Sequence, residues 1–243
     1  MAYGTESIPR VEKIVGPGNR YVTLAKRLVY GQVDPGLPAG PSESIVLCDD
    51  SADPQTAARE LLVEAEHGPD SAALLVTSSS ELADAVEQLV PELAAALPDW
   101  RREFVEAVLA GYGGIVVARS LDDAIAFSND YAPEHLHVIA REPFEILNRL
   151  THAGEVLLGE STSIAFGNYA IGLNAILPTG GFARGYSCVG VPDFMKRSSF
   201  AYVTGDGVED LSRTAGVLAR YEGFPAHAEA ADHVRRRHSG GTR

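Results

Sequence analysis

Five apolar runs of strand length punctuate this chain, and helical patterns fill the gaps between them. The runs are Ser44 to Cys48, Ala72 to Thr77, Gly114 to Arg119, His135 to Ala140 and Glu155 to Gly159. They are rich in Val, Ile and Leu with little alternation, the pattern of strands buried on both faces. Helices are expected over Pro54 to Glu66, Ser80 to Leu97, Trp100 to Ala110, Leu121 to Asn129 and Pro143 to His152. Asp53-Pro54 is a helix start, with a capping carboxylate and a proline in the first turn, where no amide donor is needed. Strand and helix in alternation predict an α/β protein with a mostly parallel sheet. The stretch Thr162 to Arg197 breaks this rhythm. It is rich in Gly, Ser and aromatics and reads as a loop region over a site. Val208 to Arg237 reads as two helices split by Gly223-Phe224-Pro225.

The 243 residues suffice for one large domain or two small ones with a real core. No apolar run approaches the roughly 20 residues of a membrane span. Met1-Ala2-Tyr3-Gly4-Thr5-Glu6 lacks the basic and apolar regions of a signal peptide. Cys48 and Cys188 make no disulfide framework, Cys48 reads as a core residue, and a reducing cytoplasm is the expected location. A net charge of -13 argues against nucleic acid as a partner. The basic cluster Arg235-Arg236-Arg237-His238, with Ser239-Gly240-Gly241 after it, reads as a solvated helix end and frayed terminus.

Chemistry concentrates in three stretches. In Tyr131-Ala132-Pro133-Glu134-His135-Leu136 a carboxyl and an imidazole stand at the mouth of a predicted strand. Histidine exchanges protons near neutrality, so Glu134 and His135 form a candidate general acid/base pair, with Pro133 fixing the turn that presents it. In Glu64-Ala65-Glu66-His67-Gly68-Pro69-Asp70-Ser71, Glu64 and His67 are three apart and share a helix face, a workable metal platform. An ordinary exposed helix end is the alternative for an isolated pair of this kind. The third stretch is Ala39-Gly40-Pro41-Ser42-Glu43.

Together with Gly4-Thr5-Glu6-Ser7-Ile8-Pro9, Ile14-Val15-Gly16-Pro17-Gly18-Asn19 and Ala226-His227, these stretches resemble the histidinol dehydrogenase family over nearly the whole chain. The resemblance implies Rossmann-like, mostly parallel α/β sheets with a helical C-terminal tail that reaches the partner subunit of a homodimer. It implies NAD and zinc as cofactors and a small alcohol, histidinol, as substrate. It makes Glu134 and His135 catalytic and places Asn19 at an NAD contact. It makes Glu64, His67, Asn168 and His227 the metal ligands and part of the substrate site, which Ser42 and Glu222 complete. Ser42 as a turn residue and Glu222 as a helix-end charge are the plain alternatives. The domains expected on this basis are residues 1–43 with 134–197, residues 44–133, and a tail from 198 to 243.

The chain departs from the family's pattern at several points. Glutamine is usual where Glu64 stands, and aspartate where Asn168 stands. The exchange keeps one carboxylate, one amide and two imidazoles, which suits zinc; drift after loss of the site is the alternative. Asn-His before Leu-Pro-Thr is here Asn174-Ala175-Ile176-Leu177-Pro178-Thr179, removing an imidazole from the substrate pocket. This favours a paralogue acting on another small amino alcohol or polyol. Family members also carry a long N-terminal portion, so the sheet is expected to be incomplete, with exposed edges and an uncovered apolar face. A late start, a broken gene leaving a non-catalytic remnant, and a complementing polypeptide are the readings of that difference.

Overall fold

A computed structural model describes residues 1–239 and divides the chain into two compact units, Met1 to Phe194 and Met195 onward. Gly240 and Gly241 of the expected frayed terminus lie outside the described residues. The first unit is built on β1 (Glu43–Cys48), β2 (Ala72–Thr77), β3 (Gly113–Val117), β4 (His135–Ile139) and β5 (Glu155–Leu158). All neighbouring strands are parallel, in the order β3-β2-β1-β4-β5. This is the doubly wound order, in which the chain reverses its direction of travel between β1 and β4.

Alternation along β1 shows why the strand must be covered twice. Ile45 and Leu47 join Val76, Ile125, Leu136 and Val138 on one face, whereas Val46 and Cys48 join Leu61, Leu75, Val105 and Val108 on the other. Helices α2 (Pro54–Ala65), α3 (Ser80–Ala95) and α4 (Asp99–Gly111) supply the second cluster. Helices α5 (Leu121–Tyr131) and α6 (Pro143–Leu147) supply the first. Asp53 caps α2 as expected, its carboxylate accepting from the Thr56 amide at 2.8 Å. The second unit holds α8 (Gly205–Tyr221) and α9 (Pro225–Ser239), parted at Gly223, which adopts φ +79°.

The fold class follows the expectation, but the domain division does not. The strands assigned to two separate α/β domains, 44–133 and 134–197, pair directly, since β4 hydrogen-bonds to β1 from Ser44↔His135 to Cys48↔Ile139. Parallel pairing recruits strands by register and burial, not by sequence proximity. Helix α6 stops at Leu147 instead of running to His152, because Asn129 captures the Arg149 carbonyl and the Thr151 amide. The region Thr162 to Arg197 contains α7 (Ile164–Tyr169), and α1 (Arg20–Leu28) precedes the sheet. The edge strand β3 is only half-buried, with Val117 exposed.

Every residue of β4 is buried, including His135 and His137. A buried imidazole without partners costs a few kcal/mol, so each ring needs a neighbour. His137 Nδ1 lies 3.2 Å from Glu60 Oε2, and its Nε2 lies 2.9 Å from the Gly159 carbonyl. Glu60 Oε2 also accepts from the Ile164 amide at 2.9 Å, tying the start of α7 to α2 and β4. Burial alone would raise the Glu60 pKa, but hydrogen bonds from His137, Ser163 and the Ile164 amide outweigh it and hold the carboxyl below its usual range. A carboxyl lowered in the fold adds stability above its ordinary pKa and loses it as pH falls through the lowered value. Glu60→Ala is expected to reduce unfolding free energy by about 2–4 kcal/mol at pH 7. Denaturant titrations should show that difference shrinking below about pH 4.

Candidate active site

Helix α2 returns from the end of β1 to the start of β2, so it runs opposite to β4. Four helical residues advance about 6 Å and two strand residues about 6.6 Å. Glu60 and Glu64 therefore meet His137 and His135 in step. His137 is held at both nitrogens, but His135 is not. Its Nδ1 lies 2.6 Å from Glu155 Oε1, at the start of β5. Its Nε2 lies 3.8 Å from both Glu64 Oε1 and Glu134 Oε1.

Glu134 is held from the backbone. Its Oε2 accepts from the Glu43 amide at 3.0 Å, and its carbonyl accepts from the Glu155 amide at 2.9 Å. Burial drives its pKa up to about 8, with the Glu64 and Glu43 charges adding to the effect and His135 opposing it. Burial pushes the His135 pKa down, but the hydrogen bond to Glu155 and the charges of Glu64 and Glu134 outweigh this and raise it. A raised pKa makes the ring a stronger proton acceptor. Glu64 shows the balance in reverse. Burial would raise it, yet His67, His135 and Asn168 bring it below the usual range.

The turn before the pair is made by Ala132 more than by Pro133. Ala132 ends α5 in the left-handed region at φ 57°, and it is buried. Among the described residues it is the one non-glycine residue with positive φ, a conformation costing about 1–2 kcal/mol. That strain sits two residues before Glu134.

Glu64, His67 and Asn168 come together. Helix α2 ends at Ala65, so His67 stands in the turn beyond it and not on the helix. It still reaches back, with Nδ1 2.9 Å from Glu64 Oε2, and that carboxylate raises the His67 pKa. The approach is not aligned as a hydrogen bond, so Glu64 Oε2 remains a buried oxygen without a donor. Asn168, on α7, donates Nδ2 to the other oxygen, Glu64 Oε1, at 3.3 Å. Carboxylate, imidazole and amide converging around an orphaned oxygen fit a zinc ion in donor chemistry. Among the described residues no three His, Cys, Asp or Glu side chains form a ready-made metal cage.

Of the remaining expected residues, Ser42, Asn19 and Ala175 lie in the first unit and Glu222 and His227 in the second. Ser42 precedes β1 and is half-buried, next to Glu43, whose amide holds Glu134. Asn19 caps α1, its Oδ1 accepting from the Tyr21 and Val22 amides. The buried Lys26 steadies this loop through the Gly16 carbonyl at 2.9 Å. Glu222 ends α8 and His227 lies on α9, both exposed within the second unit. Ala175 sits in the exposed stretch 171–175.

The sequence reading missed Glu60, His137, Glu155 and Gly154. The signal for the first three was charge inside runs that otherwise read as buried. Gly154 backs directly onto the pair: a Cβ there would lie 2.6 Å from the Glu134 carbonyl oxygen and 3.2 Å from Leu177 Cβ. Gly154→Ala is expected to cost about 1–3 kcal/mol of stability, because the clash is with backbone and core. Chemical denaturation checks this, and an unchanged midpoint would contradict the geometry.

The site is thus a buried histidine set among carboxylates on a parallel α/β sheet in doubly wound order. Comparison with known proteins narrows this. The histidinol dehydrogenase family model matches residues 1–236, and the chain belongs to that family. It is 53% identical over 230 residues to histidinol dehydrogenase from Synechocystis sp., covering 95% of this chain and 53% of that protein. A histidinol dehydrogenase homolog from Colwellia psychrerythraea is 47% identical over 236 residues, covering 97% of this chain and 53% of that protein. The crystal structure of histidinol dehydrogenase from Elizabethkingia anophelis superposes with a TM-score of 0.90 at 37% identity, covering 96% of this chain and 54% of that one. The chain thus spans about half the length of these relatives. Among the described residues, no helix is long and apolar enough to cross a membrane.

Proposed function

We propose that this site serves the NAD-dependent, zinc-assisted oxidation of L-histidinol to L-histidine, in a cytoplasmic homodimer. The observation that carries the reading is His135, buried in the family's motif with one nitrogen on Glu155 and the other turned toward Glu64 and Glu134. In the first oxidation His135 takes the hydroxyl proton while the carbinol carbon gives its hydride to NAD. In the second, Glu134 helps deprotonate the water that adds to the aldehyde, and another hydride passes to a second NAD, leaving the carboxylate. Zinc, when bound, supplies a Lewis acid that polarises the substrate oxygen. Glu64, His67 and Asn168, all in the first unit, would hold it. Ser42 would bind substrate, and Asn19 would contact NAD.

Ala175 favours a second reading, a paralogue oxidising another small amino alcohol or polyol. A methyl group there offers the histidinol imidazole no hydrogen bond, and relatives named as homologs stand beside those named as the enzyme.

Absorbance of NADH during incubation with L-histidinol, NAD and zinc tests both. The first reading expects turnover on the order of 1 s⁻¹ or more, and His135→Ala should cut it by at least about 10²–10⁴-fold. The second expects faster turnover of a different amino alcohol, with Ala175→His raising kcat/KM for histidinol about 10-fold or more. Absence of alcohol-dependent NADH with every substrate tried contradicts both.

A further inference from the structure

We infer that Glu155 is the positioning residue of His135: it fixes the proton of the neutral ring on Nδ1 and leaves Nε2 as the basic nitrogen. The inference rests on the reading of His135 as the base. The two residues are register partners on adjacent parallel strands, so their side chains leave the sheet side by side. Both are buried, and Glu155 Oε1 lies 2.6 Å from Nδ1. An ionised carboxylate can only accept, so the nitrogen facing it must carry the hydrogen.

The neighbouring histidine shows what a purely structural pairing looks like on the same strand. His137 has both nitrogens engaged, by Glu60 and by the Gly159 carbonyl. His135 has one nitrogen engaged, and the other stands 3.8 Å from two carboxylates, too far for a hydrogen bond. That gap faces Glu64 and Glu134, the side on which the metal triad lies. One ring is locked and the other is aimed.

The surroundings keep Glu155 in place. On α7, a Cβ at Gly167 would lie 3.0 Å from Glu155 Oε1 and 3.4 Å from Leu157 Cδ2. Glycine inside a helix costs about 1 kcal/mol relative to alanine, so its presence beside the carboxylate is matched by the space it leaves. The next residue on the helix is Asn168, so one short element borders both the carboxylate behind His135 and the Glu64 oxygens in front of it.

The test is ¹⁵N NMR of the histidine rings in the purified 243-residue chain, read above the titration of His135 and assigned with His135→Ala. The unsubstituted chain should show His135 protonated at Nδ1 with Nε2 bare. Glu155→Met, which fills the space without an acceptor, should abolish that preference while His137 keeps its signals. In turnover, the same variant should lower kcat about 10²–10⁴-fold with KM within about threefold, since the ring is misaligned but the pocket is intact. A bare Nδ1 in the unsubstituted chain overturns the inference without any variant, as does an unchanged tautomer in folded Glu155→Met. The tautomer is read without turnover, so absence of alcohol oxidation would count against the proposed function and not against the role of Glu155.

Discussion

Two carboxylates one helical turn apart on α2 meet two histidines two residues apart on β4, and the rest of the site depends on that match. Helix and strand advance almost equally over those intervals, about 6 Å against 6.6 Å. Apolar residues on the other face of β4 bury the strand, and burial compels its imidazoles to find partners. Glu60 takes His137 and anchors α7 through the Ile164 amide. That anchoring brings Asn168 onto Glu64. The Glu60–His137 pair thus builds the frame on which Glu64 and His135 are mounted.

Electrostatics follows from the same packing. Glu43, Glu64, Glu134 and Glu155 are gathered near His135 with little solvent to screen them. Burial raises Glu43 and Glu134, whereas the imidazoles draw Glu64 down. Glu43 Oε2 and Glu64 Oε2 are buried with no donor. Uncompensated carboxylate oxygens of this kind suit a cation, either a metal ion or the ammonium of an amino alcohol. Glu64 and Asn168 are in direct contact, Asn168 Nδ2 donating to Glu64 Oε1 at 3.3 Å.

The sheet was legible because its strands are nearly continuous apolar runs, whose composition alone shows burial on two faces. Strand order was not. Nothing in residues 134–158 says that β4 pairs with β1 across the intervening β2 and β3, so the domain boundaries read from the motifs cut through a continuous sheet. Helix α1 escaped because its buried face contributes Lys26 and no apolar residue. Helix α7 escaped because its six residues are shorter than a reliable period and are held by tertiary contacts from Glu60. Of the site, Glu134, His135, Glu64 and His67 were visible as polar residues at the ends of apolar segments. Glu155 also opens an apolar run, but it stands there as a lone carboxylate with no histidine beside it in sequence, and its pairing with His135 exists only once β5 lies beside β4.

We propose that Glu64, His67 and Asn168 are zinc ligands in front of His135. Anomalous diffraction at the zinc edge, from crystals of this chain grown with zinc, measures it directly. One peak is expected about 2.0–2.2 Å from Glu64 Oε2 and from an imidazole nitrogen of His67, with Asn168 turned to present its oxygen. No peak at that position, with Asn168 Nδ2 still donating to Glu64, would contradict it.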